Sequence, residues 1–234
     1  MQSILQNYTV LDLALLAYLL IVLPGLQLHA SLGAVKSERT RLSRYIVTSL
    51  RIFVLLALLA TDWWWMGRSA AALGIGTPVN ALGQLGLAAD FVLVVGCALY
   101  AWRMSRRDPS KLAKQRVDLE GEKLFPETPV ETAWLVAMML LIGAGWELLY
   151  RGYLIWALAP AAGIAGAVIV ASLAFGVGHG FQSWSRFLGS IVSAFAFTLA
   201  YVLTGSLWWL MIVHIVLPLF GLASYRIAAR ATAA

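Results

Sequence analysis

Residues 130–158 read VETAWLVAMMLLIGAGWELLYRGYLIWAL. Only Glu131, Glu147 and Arg151 interrupt an otherwise uncharged, largely apolar run. Wound as an α-helix it would reach roughly 43 Å, more than a ~30 Å hydrocarbon layer requires. The helix therefore tilts, starts in the headgroup layer after Pro129, or bends at Gly143-Ala144-Gly145. A charged side chain at the centre of a spanning helix costs roughly 2.5–3.5 kcal/mol on insertion scales. Glu147 and Arg151 are kept in spite of that cost, so this stretch is where function is sought. The pair also shares one helix face, because the two residues are four apart.

Working outward, the rest of the chain has the same character. Of its 234 residues 61% are hydrophobic and 12% charged, which excludes a soluble globular domain of this length. Apolar runs of about 17–25 residues recur, each long enough to cross a bilayer as a helix. Strand-type alternation is absent, so a membrane β-barrel is not expected. The expected fold is an all-α polytopic bundle of about seven spans: Thr9–Leu28, Tyr45–Met66, Leu85–Trp102, Val130–Leu158, Gly163–His179, Phe187–Thr204 and Leu207–Leu222. MQSILQNYTV carries no Lys or Arg ahead of its apolar run, unlike a cleaved signal peptide, so the first run is expected to be retained. The single Cys97 excludes an internal disulfide.

Charge orients the spans. Lys36, Arg39, Arg41 and Arg44 lie in one connection; Arg103, Arg106, Arg107, Lys111, Lys114, Arg116 and Lys123 lie in another. Two spans separate these clusters, so both face one side, the cytoplasm by the positive-inside rule. Anionic lipid accounts for both basic clusters, and nucleic acid is not an expected partner. The N-terminus then lies outside and the tail with Arg226 and Arg230 inside, as in a multi-pass protein of a cell inner membrane. Trp63, Trp64 and Trp65, and Trp208 and Trp209, mark outer headgroup levels. The polar segment 108–129 divides an N-terminal region (1–129) from a four-span core (130–222) and a short tail (223–234). Asp12, Asp90, His29 and Lys36 are expected at interfaces, and Arg51 is expected to snorkel to the headgroups.

Three ionisable sets fall in the last spans. Glu147 and Arg151 suit a structural ion pair, a catalytic acid or a transporter's charge pair. His179, flanked by Gly178 and Gly180, suits either a hydrogen-bonded helix end or a catalyst. His214, inside the last span, needs a partner, for which Glu147 and His179 are candidates.

Together these segments resemble the CPBP family, the CAAX-processing and bacteriocin-processing intramembrane proteases. Glu147-x-x-x-Arg151 matches the second half of its Glu-Glu-x-x-x-Arg motif. Phe175-x-x-x-His179 matches its second motif. Thr204-Gly205-Ser206-Leu207-Trp208 with His214 is similar to the approach to its third. The resemblance spans about Val130–Leu222 and implies an intramembrane endopeptidase acting on a membrane-associated protein or peptide. It implies water activated by Glu147 with His179, an oxyanion donor in His214, and support from Arg151 and Phe175. It also implies a metal-independent reaction without cofactors. Two His and one Glu could alternatively ligate Zn²⁺, although the HExxH spacing is missing. Two positions depart from the family pattern: Trp146 replaces the leading Glu, and Pro218 stands where an Asn or Asp follows the last His. The alternative function is therefore a catalytically silent homologue that binds or scaffolds a membrane protein. A small transporter is a third reading, against which the lack of internal repeats counts.

Overall fold

The computed structural model describes residues 8–33, 40–78, 80–107 and 125–231. The first basic connection through Arg39, most of the segment 108–129, and Lys36, Lys111, Lys114, Arg116 and Lys123 lie outside the described residues. Every regular element among the described residues is helical.

Among the described residues six helices are long and apolar enough to cross a membrane: α1 (Val10–Leu32), α2 (Arg41–Trp65), α3 (Ala81–Met104), α4 (Pro129–Val177), α5 (Trp184–Thr204) and α6 (Trp208–Ala231). The chain is a multi-pass helical membrane protein. Local chemistry sets the starts. Thr9 and Asp12 form a capping box on α1, as Thr128 and Glu131 do on α4, whose first residue is Pro129. Thr40, Asn80 and Ser183 cap α2, α3 and α5 through their side chains.

Six elements stand where seven spans are expected, because the fourth and fifth expected spans are one element folded back on itself. Gly163 sits inside α4 with φ 69° and ψ 168°, a conformation essentially reserved for glycine. The two arms, 129–162 and 164–177, run antiparallel. Phe175 lies 5.0 Å from Tyr150 between ring centroids, whereas a straight helix would place residues so far apart in sequence roughly 37 Å from each other. The second arm is short and brings His179 back beside Trp146, next to the turn that carries Glu147.

The first arm of α4 packs against α2 and α6, the second against α5, and α3 lies on α6. Leu149, Tyr153 and Leu154 are fully buried at the centre, against Leu19 of α1 and Leu59 of α2. Helix α6 continues through Ala231, past the expected end at Leu222, because Tyr225 and Ala228 remain buried and Arg226 donates to the Thr132 hydroxyl of α4.

The N-terminal end of α1 and the C-terminal end of α2 are joined by charge. Arg68 donates through Nη2 to Asp12 Oδ2 (2.6 Å) and through Nη1 to Asp12 Oδ1 and Asp62 Oδ2 (3.0 Å each). Thr9 donates to Asp62 Oδ1 at 2.7 Å, and Tyr153 of α4 donates to the Asp12 carbonyl at 2.8 Å. The Arg68 guanidinium lies over Trp156, 4.5 Å from its ring centroid. Burial pushes the Arg68 pKa down, but the bonds to Asp12 outweigh it and leave it above the usual arginine value. Asp12 is therefore a fully buried member of an ion cluster, and not interfacial. Asp90 is also buried, with Oδ2 unpartnered among the described residues.

Candidate active site

The site begins with a change of helical pitch. Residues Glu147–Tyr153 of α4 follow the wider i→i+5 pattern of a π-helix. Each residue so inserted turns the following positions by about 100° relative to an uninterrupted α-helix. Glu147 and Arg151 point into the protein from this wide turn, each 1% exposed. Arg151 Nη1 donates to Glu147 Oε1.

His214 arrives from α6. Its Nδ1 lies 2.6 Å from the same Glu147 oxygen, a contact distance, although the ring is not angled for an aligned hydrogen bond. The approach of the two helices depends on Gly143, one turn before Glu147. A Cβ there would sit 3.0 Å from the His214 carbonyl and 2.6 Å from the Ile215 side chain. Gly152 does a similar service, but for the Leu73 carbonyl of the loop after α2 and not for a neighbouring helix.

The charged cluster is walled by aromatic rings. Phe175 faces the Arg151 guanidinium at 4.5 Å, Phe197 faces it at 5.7 Å, and Phe197 lies 5.1 Å from the His214 ring. Glu147 Oε2, Arg151 Nε and Arg151 Nη2 are buried without a partner among the described residues. One carboxylate oxygen thus meets both Arg151 and His214, and the other has no partner among the described residues.

His179 is on the far side of Phe175. Its ring packs edge-on to Phe175 at 4.7 Å, and its Nδ1 is 2.9 Å from the Phe175 carbonyl. A carbonyl only accepts, so Nδ1 carries the proton and, in the neutral ring, Nε2 is the free basic nitrogen. His179 opens onto a pocket of about 280 Å³ lined also by Leu23, Gln27, Trp146, Tyr150 and Phe175. Helix α1 is pinned to this loop, because the Phe181 N–H donates to the Ser31 hydroxyl at 2.6 Å.

The structure therefore brings Glu147, Arg151 and His214 together and places His179 one aromatic ring away, in a pocket walled by Trp146. Among the described residues no group of three His, Cys, Asp or Glu is placed to hold a metal ion. Gln27, Tyr150 and Phe197 belong to the site without having been singled out in the sequence. For Tyr150 there was a signal: as the third residue after Glu147 it shares a helix face with the charged pair.

Residues 128–220 match the family model of the type II CAAX prenyl endopeptidases, Rce1-like. This segment is similar to that family. No match was found among curated proteins or among solved structures. The Rce1-like segment begins at the α4 cap and ends within α6, so it holds Glu147, Arg151, Phe175, His179 and His214. The family is one of proteases. Helices α1 to α3 lie outside the match, yet α1 supplies Leu23 and Gln27 to the pocket of the Rce1-like segment.

Proposed function

We propose that the chain is an intramembrane endopeptidase of a cell inner membrane, with its N-terminus outside and its C-terminus in the cytoplasm. It hydrolyses a peptide bond in a membrane-associated protein or peptide, without a metal or other cofactor. The observation that carries this reading is the buried Glu147 carboxylate, held by Arg151 and touched by His214, one ring from a pocket that exposes a basic imidazole nitrogen.

In this scheme the substrate's scissile segment enters the pocket beside His179. Water there gives up a proton to the His179–Glu147 set and its oxygen attacks the carbonyl carbon. Arg151 holds the Glu147 carboxylate in place. His214, the imidazole beside Glu147, serves as the donor to the negative charge that develops on the carbonyl oxygen. The proton then passes to the leaving amine as the C–N bond breaks. For Glu147 Oε2 to share the proton, the Phe175 ring must swing out from between Arg151 and His179.

The test uses the full chain in proteoliposomes, with prenylated and unprenylated fluorogenic peptides. Cleavage is expected, falling about a hundredfold or more in Glu147→Gln and in His179→Ala, the range for loss of general acid–base catalysis. Undiminished turnover in either variant, with helical content retained, would sink the mechanism.

One observation favours a second reading. Trp146 forms the pocket wall beside His179, at the position where the resembled motif has its leading Glu, so the pocket has an imidazole but no carboxylate on its lining. A silent homologue that holds a membrane peptide in this pocket would show wild-type peptide binding, no cleavage, and the same binding in Glu147→Gln.

A further inference from the structure

A groove of about 560 Å³ runs between α1 and α2. Its walls are Leu11, Leu15 and Tyr18 of α1 and Leu55 and Leu58 of α2, and its one charged group is Arg51. The groove opens sideways, so whatever fills it comes from the bilayer.

Arg51 differs from the other arginines of its helix. Arg41 pairs with Glu127 and donates to the Phe125 carbonyl, and Arg44 also has a partner. Arg51 has no hydrogen-bond or ion-pair partner among the described residues, although it is ten residues into α2, some 15 Å beyond Arg41 along the axis. A guanidinium held at that depth requires a counter-charge or a headgroup drawn toward it. Its planar fork matches the oxygens of a phosphate. From Arg51 the apolar wall continues toward the Trp63 end through Leu55 and Leu58, the direction in which an acyl chain would run from a headgroup on the basic side.

We propose that the α1–α2 groove binds one anionic phospholipid, its phosphate on Arg51 and an acyl chain along Leu15, Leu55 and Leu58. The site is independent of catalysis. Its chemistry selects for phosphate with net negative charge, because the groove has no carboxylate to receive a choline or ethanolamine amine.

The test is native mass spectrometry of the full chain in detergent, titrated with phosphatidylglycerol, with phosphatidylcholine of the same chains, and with the matching diacylglycerol. One phosphatidylglycerol is expected to remain bound, about tenfold more tightly than phosphatidylcholine, with diacylglycerol weaker still. Arg51→Gln should abolish the headgroup preference and Arg51→Lys should keep part of it. Ala14→Trp, which fills the groove from its exposed side, should reduce retention of all three and gives a readout should Arg51→Gln fail to fold. Equal retention of phosphatidylglycerol and phosphatidylcholine by the wild-type chain, or unchanged preference in Arg51→Gln, means annular lipid only and overturns the proposal. Unchanged retention in Ala14→Trp overturns the location.

Discussion

His214 Nδ1 and Glu147 Oε1 meet at 2.6 Å from two different helices, and Arg151 reaches the same oxygen. Both Glu147 and Arg151 are almost completely buried, so each is the other's main defence against the low dielectric. Arg151→Met alone should destabilise the chain by roughly 3–5 kcal/mol, since it strands a carboxylate. The double variant Glu147→Gln, Arg151→Met should recover much of that loss. Unfolding of Glu147→Gln, Arg151→Met and the double variant in mixed micelles gives the coupling directly. Additive effects would mean that the two groups are not energetically paired.

At the joined ends of α1 and α2, Arg68 neutralises two buried aspartates. Arg68→Ala should cost roughly 3 kcal/mol and loosen α1 from α2, because Asp12 and Asp62 then face each other uncompensated. Hydrogen exchange in residues 9–15 and 59–65 should accelerate together. Arg68→Lys should recover only part, since a point charge does not reproduce the bidentate bond to Asp12.

Gly143 sets how closely α6 approaches α4. Gly143→Val should cost about 1–3 kcal/mol by overpacking and should push His214 away from Glu147. A peptidase would then lose more in kcat than in KM, because the pocket beside His179 is walled by other residues. A matched loss in KM alone would place His214 outside the chemistry.

The reversal in α4 isolates a backbone effect. At Gly163 an added Cβ meets nothing within 4 Å, so any penalty of Gly163→Ala is conformational. It should be about 1–3 kcal/mol. Gly189→Ala is the control: it also has open space around it but lies in helical backbone within α5, and it should be neutral or stabilising by up to about 1 kcal/mol. Equal thermal shifts in the two variants would refute the strained reversal.

Much of this arrangement was legible in the residues. Apolar runs and caps located the helices, and the four-residue spacing of Glu147 and Arg151 put them on one face. The need of a buried imidazole for a partner pointed from His214 toward Glu147 or His179. What the residues did not disclose has physical causes. Whether a span ends in a loop or folds back through one glycine depends on a single positive φ, which Gly163 permits but does not demand. The π-turn at Glu147–Tyr153 arises from packing and not from any residue type, and it alters which way Glu147 faces. Asp12 looked interfacial by its place near a span end, since its partner Arg68 lies in a connection that no periodicity ties to it. The reach of α6 to Ala231 depends on tertiary burial of Tyr225 and Ala228.

The bond from Phe181 to Ser31, with Leu23 and Gln27 facing His179, makes the first helix one wall of a chamber whose other sides come from the two arms of α4 and the turn after them. In the proposed peptidase, chemistry and cargo choice would thereby be lodged in different stretches of the polypeptide. Exchange of that one hydrophobic rod for another could retune what is admitted while leaving the reacting groups untouched.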